Sequence, residues 1–405
     1  MRIGKFGESN RLSIDTIRHY MDIGLIVPEK RGGQYFFDER CQGDLDLILE
    51  FKGMGLSLLE IKTILLYRNL AQYTPYEEDA FFQALFTDKY NKLNQDIKEL
   101  TDTRDRLKRK LDELSKKIPA TSTFLGIDLS VLSILRCRKC GEKLDLQDGR
   151  ITKNQVVEGN LGCPCGGEYV IDSGILIVGE PDEPAQTPQL QPFFAKYFQM
   201  TDPIYLENLY HGLHWAKRKM ISVELQGKVL LELGSGYGFF LRNVYQELPE
   251  DSVYIAVDRD LDLLRFLKGI LERTGLKRRI LFICSDFLDI PVGPHSVDML
   301  IDHAGSSNYG FEHKEFLLKE VDDLIKKEGY LLGSYIAFKN FSKRSKIEPQ
   351  YRHNFNAVRI KENIERLDYI PIDEKTSHYM DKGGEFENFF VDGEEVFSYS
   401  FMGKR

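Results

Sequence analysis

Residues 230–240 read LLELGSGYGFF. An apolar run carries Glu232 and closes at Leu233. Gly234, Gly236 and Gly238 then alternate with Ser235 and Tyr237 before Phe239 resumes the apolar pattern. A strand that turns sharply into a helix has this form. Its glycines open backbone conformations closed to other residues and leave room for a bound group beside the turn. The spacing is E-x-G-x-G-x-G. A dinucleotide loop, G-x-G-x-x-G, wants Gly or Ala at position 239, where this chain has Phe239.

Downstream, apolar runs and helical stretches alternate. KVLLELGSGYG (228–238), SVYIAVDRD (252–260), RILFICSDF (279–287), VDMLIDHAG (297–305) and GYLLGSYIAF (329–338) read as five strands. LDYIPIDEKTSHYM (367–380) and EEVFSYSFMGKR (394–405) read as a closing antiparallel pair. Such alternation predicts an α/β doubly wound sheet, whose ligands sit outside the carboxyl ends of the strands. Asp258 ends the second strand, placed to accept from two ribose hydroxyls. Asp286 follows the third, beside the place of an adenine amino group. Acids rather than Lys or Arg surround the loop, which suits a nucleoside without a phosphate.

These motifs resemble the class I S-adenosylmethionine-dependent methyltransferases, from about Phe193 to the C-terminus. The resemblance implies that Glu232, Gly234, Ser235, Gly236 and Gly238 approach the methionine part of the cofactor. It places Asp258 on the ribose and Asp286 and Phe287 on the adenine. Asp302 and His303 would open the floor of the crevice, with His303 the candidate base. A sulfonium is already a strong electrophile, so methyl transfer is mainly a positioning task, and a base helps only where the acceptor loses a proton. The residue inventory therefore does not separate an enzyme from a sensor, and His303 reads equally well as a neutral hydrogen-bonded residue. DNA is a poor acceptor: DHAGSSNYGF (302–311) lacks the D/N-P-P-Y/F motif of amino methyltransferases, and the chain's one Pro-Cys pair, Pro164–Cys165, falls in a cysteine cluster. His303, Ser306, Ser307, Asn308 and Tyr309 could orient a small acceptor.

The other end of the chain reads differently. LSIDTIRHYMDIGLIVPEKRGGQYFFDER (12–40) opens on Ser13 as a helix cap, keeps Ile14, Ile17 and Tyr20–Met21 on one apolar face, and stops at Gly24. RGGQYFF reads as a tight turn into a wing. Helices follow through Leu45, Ile48, Leu49 and Phe51, and again after Ser57, with Glu60 at the capping-box position. Together with the initial MRIGKF and the later MGLSLLEIKTIL, about 70 residues resemble the winged helix-turn-helix head of MerR-family transcription regulators. The resemblance implies a second helix in the major groove carrying Thr16, Arg18, His19 and Tyr20, and a wing carrying Arg31 and Tyr35. Where the family's wing usually has Arg after Tyr, this chain has Phe36. Seven basic against six acidic residues between Met1 and Arg40 make a weak electrostatic footprint, net +1.

Tyr90, Leu93, Ile97, Leu100, Arg104, Leu107, Leu111, Leu114 and Ile118 alternate three- and four-residue steps. That is a coiled-coil seam with Arg104 at its middle. MerR relatives dimerise through an antiparallel coiled coil here, which implies a homodimer on a two-fold symmetric promoter DNA. Two guanidinium groups meeting at a dyad need relief, from a carboxylate such as Asp105, from snorkelling or from a register offset.

Cys137 and Cys140 form C-x-x-C, and Cys163 and Cys165 form C-x-C after a 22-residue gap. Four thiolates suit tetrahedral zinc, and the strand-like flanks suggest a zinc ribbon. The segment resembles the small zinc modules that precede some methyltransferases. Cys41 and Cys284 stand alone.

Over 405 residues, 42% apolar and 29% charged content suits a soluble multidomain chain, and the net charge of −8 speaks against a protein that coats nucleic acid. No long uncharged apolar run or signal core is present, so a cytoplasmic location without membrane contact is expected. The expected organisation is a winged helix-turn-helix over 1–75, a dimerisation helix over 76–120, a four-cysteine module over 121–180 and a methyltransferase-like domain over 181–405. GEPDEPAQTPQLQP (179–192) is an expected linker. The leading functional reading is a dimeric bacterial regulator whose C-terminal domain senses S-adenosylmethionine or its product, with RNA polymerase the partner the family implies. The alternatives are a methyltransferase for a small molecule that also regulates transcription, and an RNA methyltransferase.

Overall fold

The computed structural model describes residues 1–71, 75–115, 122–179, 196–303, 305–385 and 387–405. All but the first residue of the expected linker, and Ile118 at the end of the seam, lie outside them. The chain forms two units, Met1–Ile118 and Pro119–Arg405.

The first unit runs α1 (Ile3–Asn10), α2 (Ile14–Asp22), β1 (Glu29–Arg31), β2 (Gln34–Phe36), α3 (Glu39–Gly53), α4 (Leu58–Ala71) and α5 (Pro75–Ser115). Ser13 caps α2, its Oγ accepting from the Thr16 N–H at 3.0 Å. β1 and β2 pair antiparallel through Gly32 and Gly33, both at positive φ. This is the two-residue turn that two glycines favour. The capping box of α4 is complete: Ser57 N–H donates to Glu60 Oε2 at 2.6 Å and Glu60 N–H to Ser57 Oγ at 3.3 Å. Phe6, Ile17, Tyr20, Phe37, Leu45, Ile48, Ile61 and Ile64 form the core. α5 begins on this core, with Phe82 and Phe86 against Phe51 and Lys89 paired to Glu60 at 3.1 Å. Farther along, Tyr90, Leu93, Ile97, Leu100, Leu107 and Leu111 are 41–69% exposed. The seam is thus an apolar stripe that its own unit leaves uncovered. Arg104 is paired with Asp105, Nη2 to Oδ1 at 2.8 Å.

The second unit carries β3 (Ile127–Asp128), β4 (Asp145–Thr152), β5 (Gln155–Gly162), β6 (Glu168–Asp172), β7 (Ile175–Ile177), α6 (Pro203–Ile221), β8 (Val229–Leu233), α7 (Phe239–Val244), β9 (Val253–Asp258), α8 (Leu261–Glu272), β10 (Arg279–Cys284), β11 (Val297–His303), α9 (Gly305–Gly310), α10 (Leu317–Glu320), β12 (Ile325–Phe338), α11 (Ala357–Glu365), β13 (Ile370–Thr376) and β14 (Val396–Lys404). One 12-stranded sheet runs in the order β13-β14-β12-β11-β8-β9-β10-β7-β6-β5-β3, with β4 on β5. β12, β11, β8, β9, β10 and β7 are parallel, and β14 and β13 close the sheet antiparallel. Helices cover both faces. Leu231, Leu233, Ile255, Val257, Leu281 and Ile283 enter one core, while Leu230, Tyr254, Ala256, Ile280 and Phe282 enter the other. That period of two, apolar on both sides, explains the continuous hydrophobic runs.

The expected boundary at residue 180 is not a boundary in the fold. β7 pairs parallel with β10, Ile175 opposite Phe282 and Leu176 opposite Ile283. Ile175 packs in one core and Leu176 in the other, so the end of the four-cysteine segment is an interior strand of the large sheet.

Candidate functional site

Four strand ends converge beside the point where the sheet order reverses, between β8 and β11. Gly234, Gly236 and Gly238 all take positive φ, at 71°, 48° and 74°. A Cβ on Gly238 would run into Leu267 of α8, and one on Gly234 would lie 3.5 Å from the Phe287 ring and from Gly305 Cα. The loop therefore needs glycine for conformation at all three positions and for room at Gly238.

Glu232 is buried at the end of β8. Burial pushes its carboxyl up to about 8, and the nearby Asp258 charge adds to this, while the Ser235 and Tyr254 hydroxyls oppose it. Glu232 Oε2, Ser235 Oγ and Tyr254 Oη close no hydrogen bond of good geometry within the protein. Unsatisfied buried polar atoms are costly, so a cluster of three at one loop is a feature to explain. Asp258, by contrast, is already oriented: Gly236 N–H donates to Oδ2 at 2.7 Å and Asp260 N–H to Oδ1 at 3.0 Å. Each oxygen keeps a lone pair for a further donor. Asp286 accepts from Leu288 N–H at 2.9 Å and caps a short turn that contains Phe287.

Asp302 and His303 lie at the end of β11, beside the helix that follows the glycine loop, and differ in exposure. Asp302 is fully buried, its Oδ1 accepting from Ser306 N–H at 2.8 Å, and burial raises it to about 6. It props the start of α9 from beneath rather than opening the crevice floor. The reason is its place in β11, an interior strand whose every residue up to His303 is buried. His303 is half-buried and lines a cavity of about 60 Å³ with Asn208, Ser334, Tyr335 and Ser398. Burial holds its imidazole down at about 4. It is neutral at pH 7 and suited to hydrogen bonding, but a weak base. Of the other acceptor candidates, Ser307 Oγ is committed to Ile336 N–H at 2.9 Å and Tyr309 stacks on His313 at 3.8 Å between centroids. Asn308 is exposed.

The four cysteines converge. Their Sγ atoms lie within 4.8 Å of one another, with Cys137–Cys165 at 3.5 Å and Cys140–Cys163 at 3.3 Å. Thiolates about 2.3 Å from a tetrahedral zinc stand roughly 3.8 Å apart, so the set fits that ion. Both pairs sit on closed turns. Gly141 N–H donates to Cys137 O at 2.8 Å and Gly166 N–H to Cys163 O at 2.9 Å. The second turn, one residue shorter, still closes on its glycine.

On the head, Arg18 and His19 are exposed on α2, with Thr16 half-buried beside them, and Arg31 and Tyr35 are exposed on the wing. Tyr20 is a correction. It is 2% exposed, shares its helix face with Ile17, and its hydroxyl accepts from Lys52 Nζ at 3.2 Å. It holds the head together and does not face a groove.

Comparison with known proteins agrees with this division. Residues 1–67 match the model of the MerR HTH family regulatory proteins. The chain is 31% identical over 124 residues to the HTH-type transcriptional regulator HmrR of Rhizobium leguminosarum bv. viciae, covering 29% of this chain and 81% of that protein. The chain belongs to the MerR family. In this MerR-family chain, residues 224–383 also match a methyltransferase-domain model, so the regulator head is fused to a class I methyltransferase domain. Solved structures similar to it include an S-adenosylmethionine-dependent methyltransferase from Aquifex aeolicus, 17% identical over 51% of this chain and 97% of that one, TM-score 0.34. Another is the geranyl diphosphate C-methyltransferase of Streptomyces coelicolor A3(2), 12% identical over 47% and 75%, TM-score 0.36. Scores this low add nothing to the family match. No helix among the described residues is long and apolar enough to cross a membrane.

Sequence reasoning missed Tyr254, which lies under Glu232, and Asn208 and Ser398 around His303. Tyr254 reads as one more aromatic in a strand; it pairs opposite Leu230, and only the closeness of its hydroxyl to the Glu232 carboxyl sets it apart. Asn208 sits mid-helix in α6 with no local signal.

Proposed function

We propose that this chain is a dimeric transcription regulator whose methyltransferase-fold body binds S-adenosylmethionine or its demethylated product as effector. The observation that carries the reading is the preset acceptor at Asp258. Its two oxygens are aimed by the Gly236 and Asp260 N–H groups beside a glycine loop with unmatched polar atoms, all on a chain that opens with a DNA-reading head. Asp258 would accept from the ribose diol and Asp286 from the adenine amine. Glu232 and Ser235 would meet the methionine end. When bound, the cofactor supplies an electrophilic methyl group. The protein's part is to fix the nucleoside and exclude water. Zinc would be held by Cys137, Cys140, Cys163 and Cys165 as a closed structural site. Arg18 and His19, with Arg31 and Tyr35, would contact promoter DNA. The uncovered seam of α5 would form the dimer, with RNA polymerase engaged as in the family.

The second reading is a methyltransferase for a small molecule on the same regulator. The cavity lined by His303, Asn208 and Ser398 favours it, because neutral groups there can orient an acceptor. Calorimetry with S-adenosylmethionine and S-adenosylhomocysteine tests the shared premise. Asp258→Ala should weaken binding about a hundredfold, since two charge-assisted hydrogen bonds are lost. Equal binding by this variant would remove the nucleoside assignment.

A further inference from the structure

The two pairs of cysteines stand beside the loop that leaves β10, and that loop carries Asp286 and Phe287. Arg138 lies between the first two cysteines. Its N–H donates to the Tyr169 hydroxyl at 3.0 Å, and that hydroxyl stands 3.5 Å from Cys137 Sγ. Its guanidinium reaches away from the cluster, and Nη2 donates to the Leu288 carbonyl at 2.9 Å. Leu288 is the residue whose own N–H holds Asp286 Oδ1 at 2.9 Å. One residue is therefore gripped at its carbonyl from the cysteine side and at its N–H from the nucleoside side. The connection continues on the backbone. Arg136 N–H donates to Pro291 O at 3.0 Å, Gly293 N–H donates to Ile134 O at 2.9 Å, and Leu135 bridges Val292 antiparallel. The strand entering the first cysteine turn and the strand leaving the nucleoside loop form one short ribbon.

We propose that the four-cysteine cluster, when metal-bound, sets nucleoside affinity by holding the 286–292 loop, with Arg138 as the positioning residue. The proposal rests on the reading of Asp286 and Phe287 as the adenine side. Leu288 is 38% exposed and Asp289 is exposed beside it, while Ile290 and Val292 are buried, so the apex of the loop, unlike its end, has little burial of its own and depends on these bonds. A tetrahedral metal ties the two cysteine turns together. Without it, the first turn keeps its internal bonds, the Arg138 N–H bond to Tyr169 and the short ribbon, but loses its tie to the second turn, and the Arg138 guanidinium has a less fixed base from which to reach Leu288 O. Metal binding and ordering of the ligands are then one equilibrium. The body then holds a nucleoside about tenfold more tightly when its cysteine cluster is filled.

The test uses the full chain, with S-adenosylhomocysteine as probe, and reads three quantities: zinc content, affinity by calorimetry, and amide hydrogen exchange over residues 285–293. Arg138→Ala should keep its zinc, exchange faster in that segment, and bind about tenfold more weakly, the size of one charge-assisted hydrogen bond. Arg138→Lys, which can still donate to Leu288 O, should recover part of both. Removing zinc from the wild type with a chelator should reproduce both losses, and removing it from Arg138→Ala should add less. Unchanged exchange and affinity in Arg138→Ala, or full affinity in the metal-free wild type, would overturn the proposal. If the wild type binds no S-adenosylhomocysteine, the nucleoside reading falls. The exchange measurement still decides whether the cluster holds the loop.

Discussion

Glu232→Gln is the substitution that asks whether the buried acid at the glycine loop meets a ligand's amine. Burial, with the Asp258 charge adding, pushes the Glu232 carboxyl up to about 8, and Ser235 and Tyr254 pull the other way. At pH 7 roughly nine in ten molecules carry it protonated. An ammonium group placed beside it favours the carboxylate. Binding must then expel close to one proton per site, about 0.9 at pH 7. The association constant should rise about tenfold per pH unit between roughly pH 6 and 7.5, because only the ionised fraction accepts the ligand. Stability has the opposite slope. The folded state binds the proton more tightly than the unfolded chain, so this contribution is complete at low pH and is lost as pH rises towards 8. Calorimetry at pH 7 in phosphate and in Tris, whose ionisation enthalpies differ, counts the protons. Glu232→Gln should release almost none and show a flat pH profile. Asp258, also raised by burial, stays in that variant as an internal control. Wild type that binds S-adenosylhomocysteine without releasing protons, or a Gln variant with the same slope, would refute the reasoning.

Changing Leu100 and Leu107 together to Glu should turn a dimer into a monomer in sedimentation, since both lie on the uncovered apolar stripe of α5. Arg18→Ala should weaken operator binding and lessen its salt dependence by about one counterion, measured by fluorescence anisotropy over a salt series. Tyr20→Ala should cost the head about 3 kcal/mol of stability in denaturant unfolding, because it empties a core position. Tyr20→Phe, which keeps the ring, should leave operator affinity within about threefold. Cys137→Ser with Cys140→Ser should lose the metal, read by elemental analysis.

Where each signal was local, the sequence was legible. The glycine loop, the strand ends at Asp258 and Asp286, the Ser57–Glu60 capping box and the cysteine pairs all follow from spacing over a few residues. Tyr20 shows a local conflict resolved the wrong way. Ile17 and Tyr20 share one apolar face, and that periodicity already pointed inward, against a groove contact implied by resemblance. Asp302 and His303 are adjacent in one strand, so the pleat sends one down into the core and leaves the other half-open. Neither residue type tells which. The strand 175–177 is apolar on both sides, but a run of three residues does not say whether it pairs with its own hairpin or with a strand more than a hundred residues away. Arg138 gives no signal at all, because its meaning is one long-range bond to Leu288 O.

The most direct test of the regulator reading is transcription in vitro from the promoter of the chain's own gene, with purified RNA polymerase, with and without S-adenosylmethionine or S-adenosylhomocysteine. The account predicts that ligand changes promoter output with wild type and leaves it unchanged with Asp258→Ala. Wild type that binds either ligand tightly yet gives the same output with and without it would contradict the account and leave the body as an enzyme carried by a regulator.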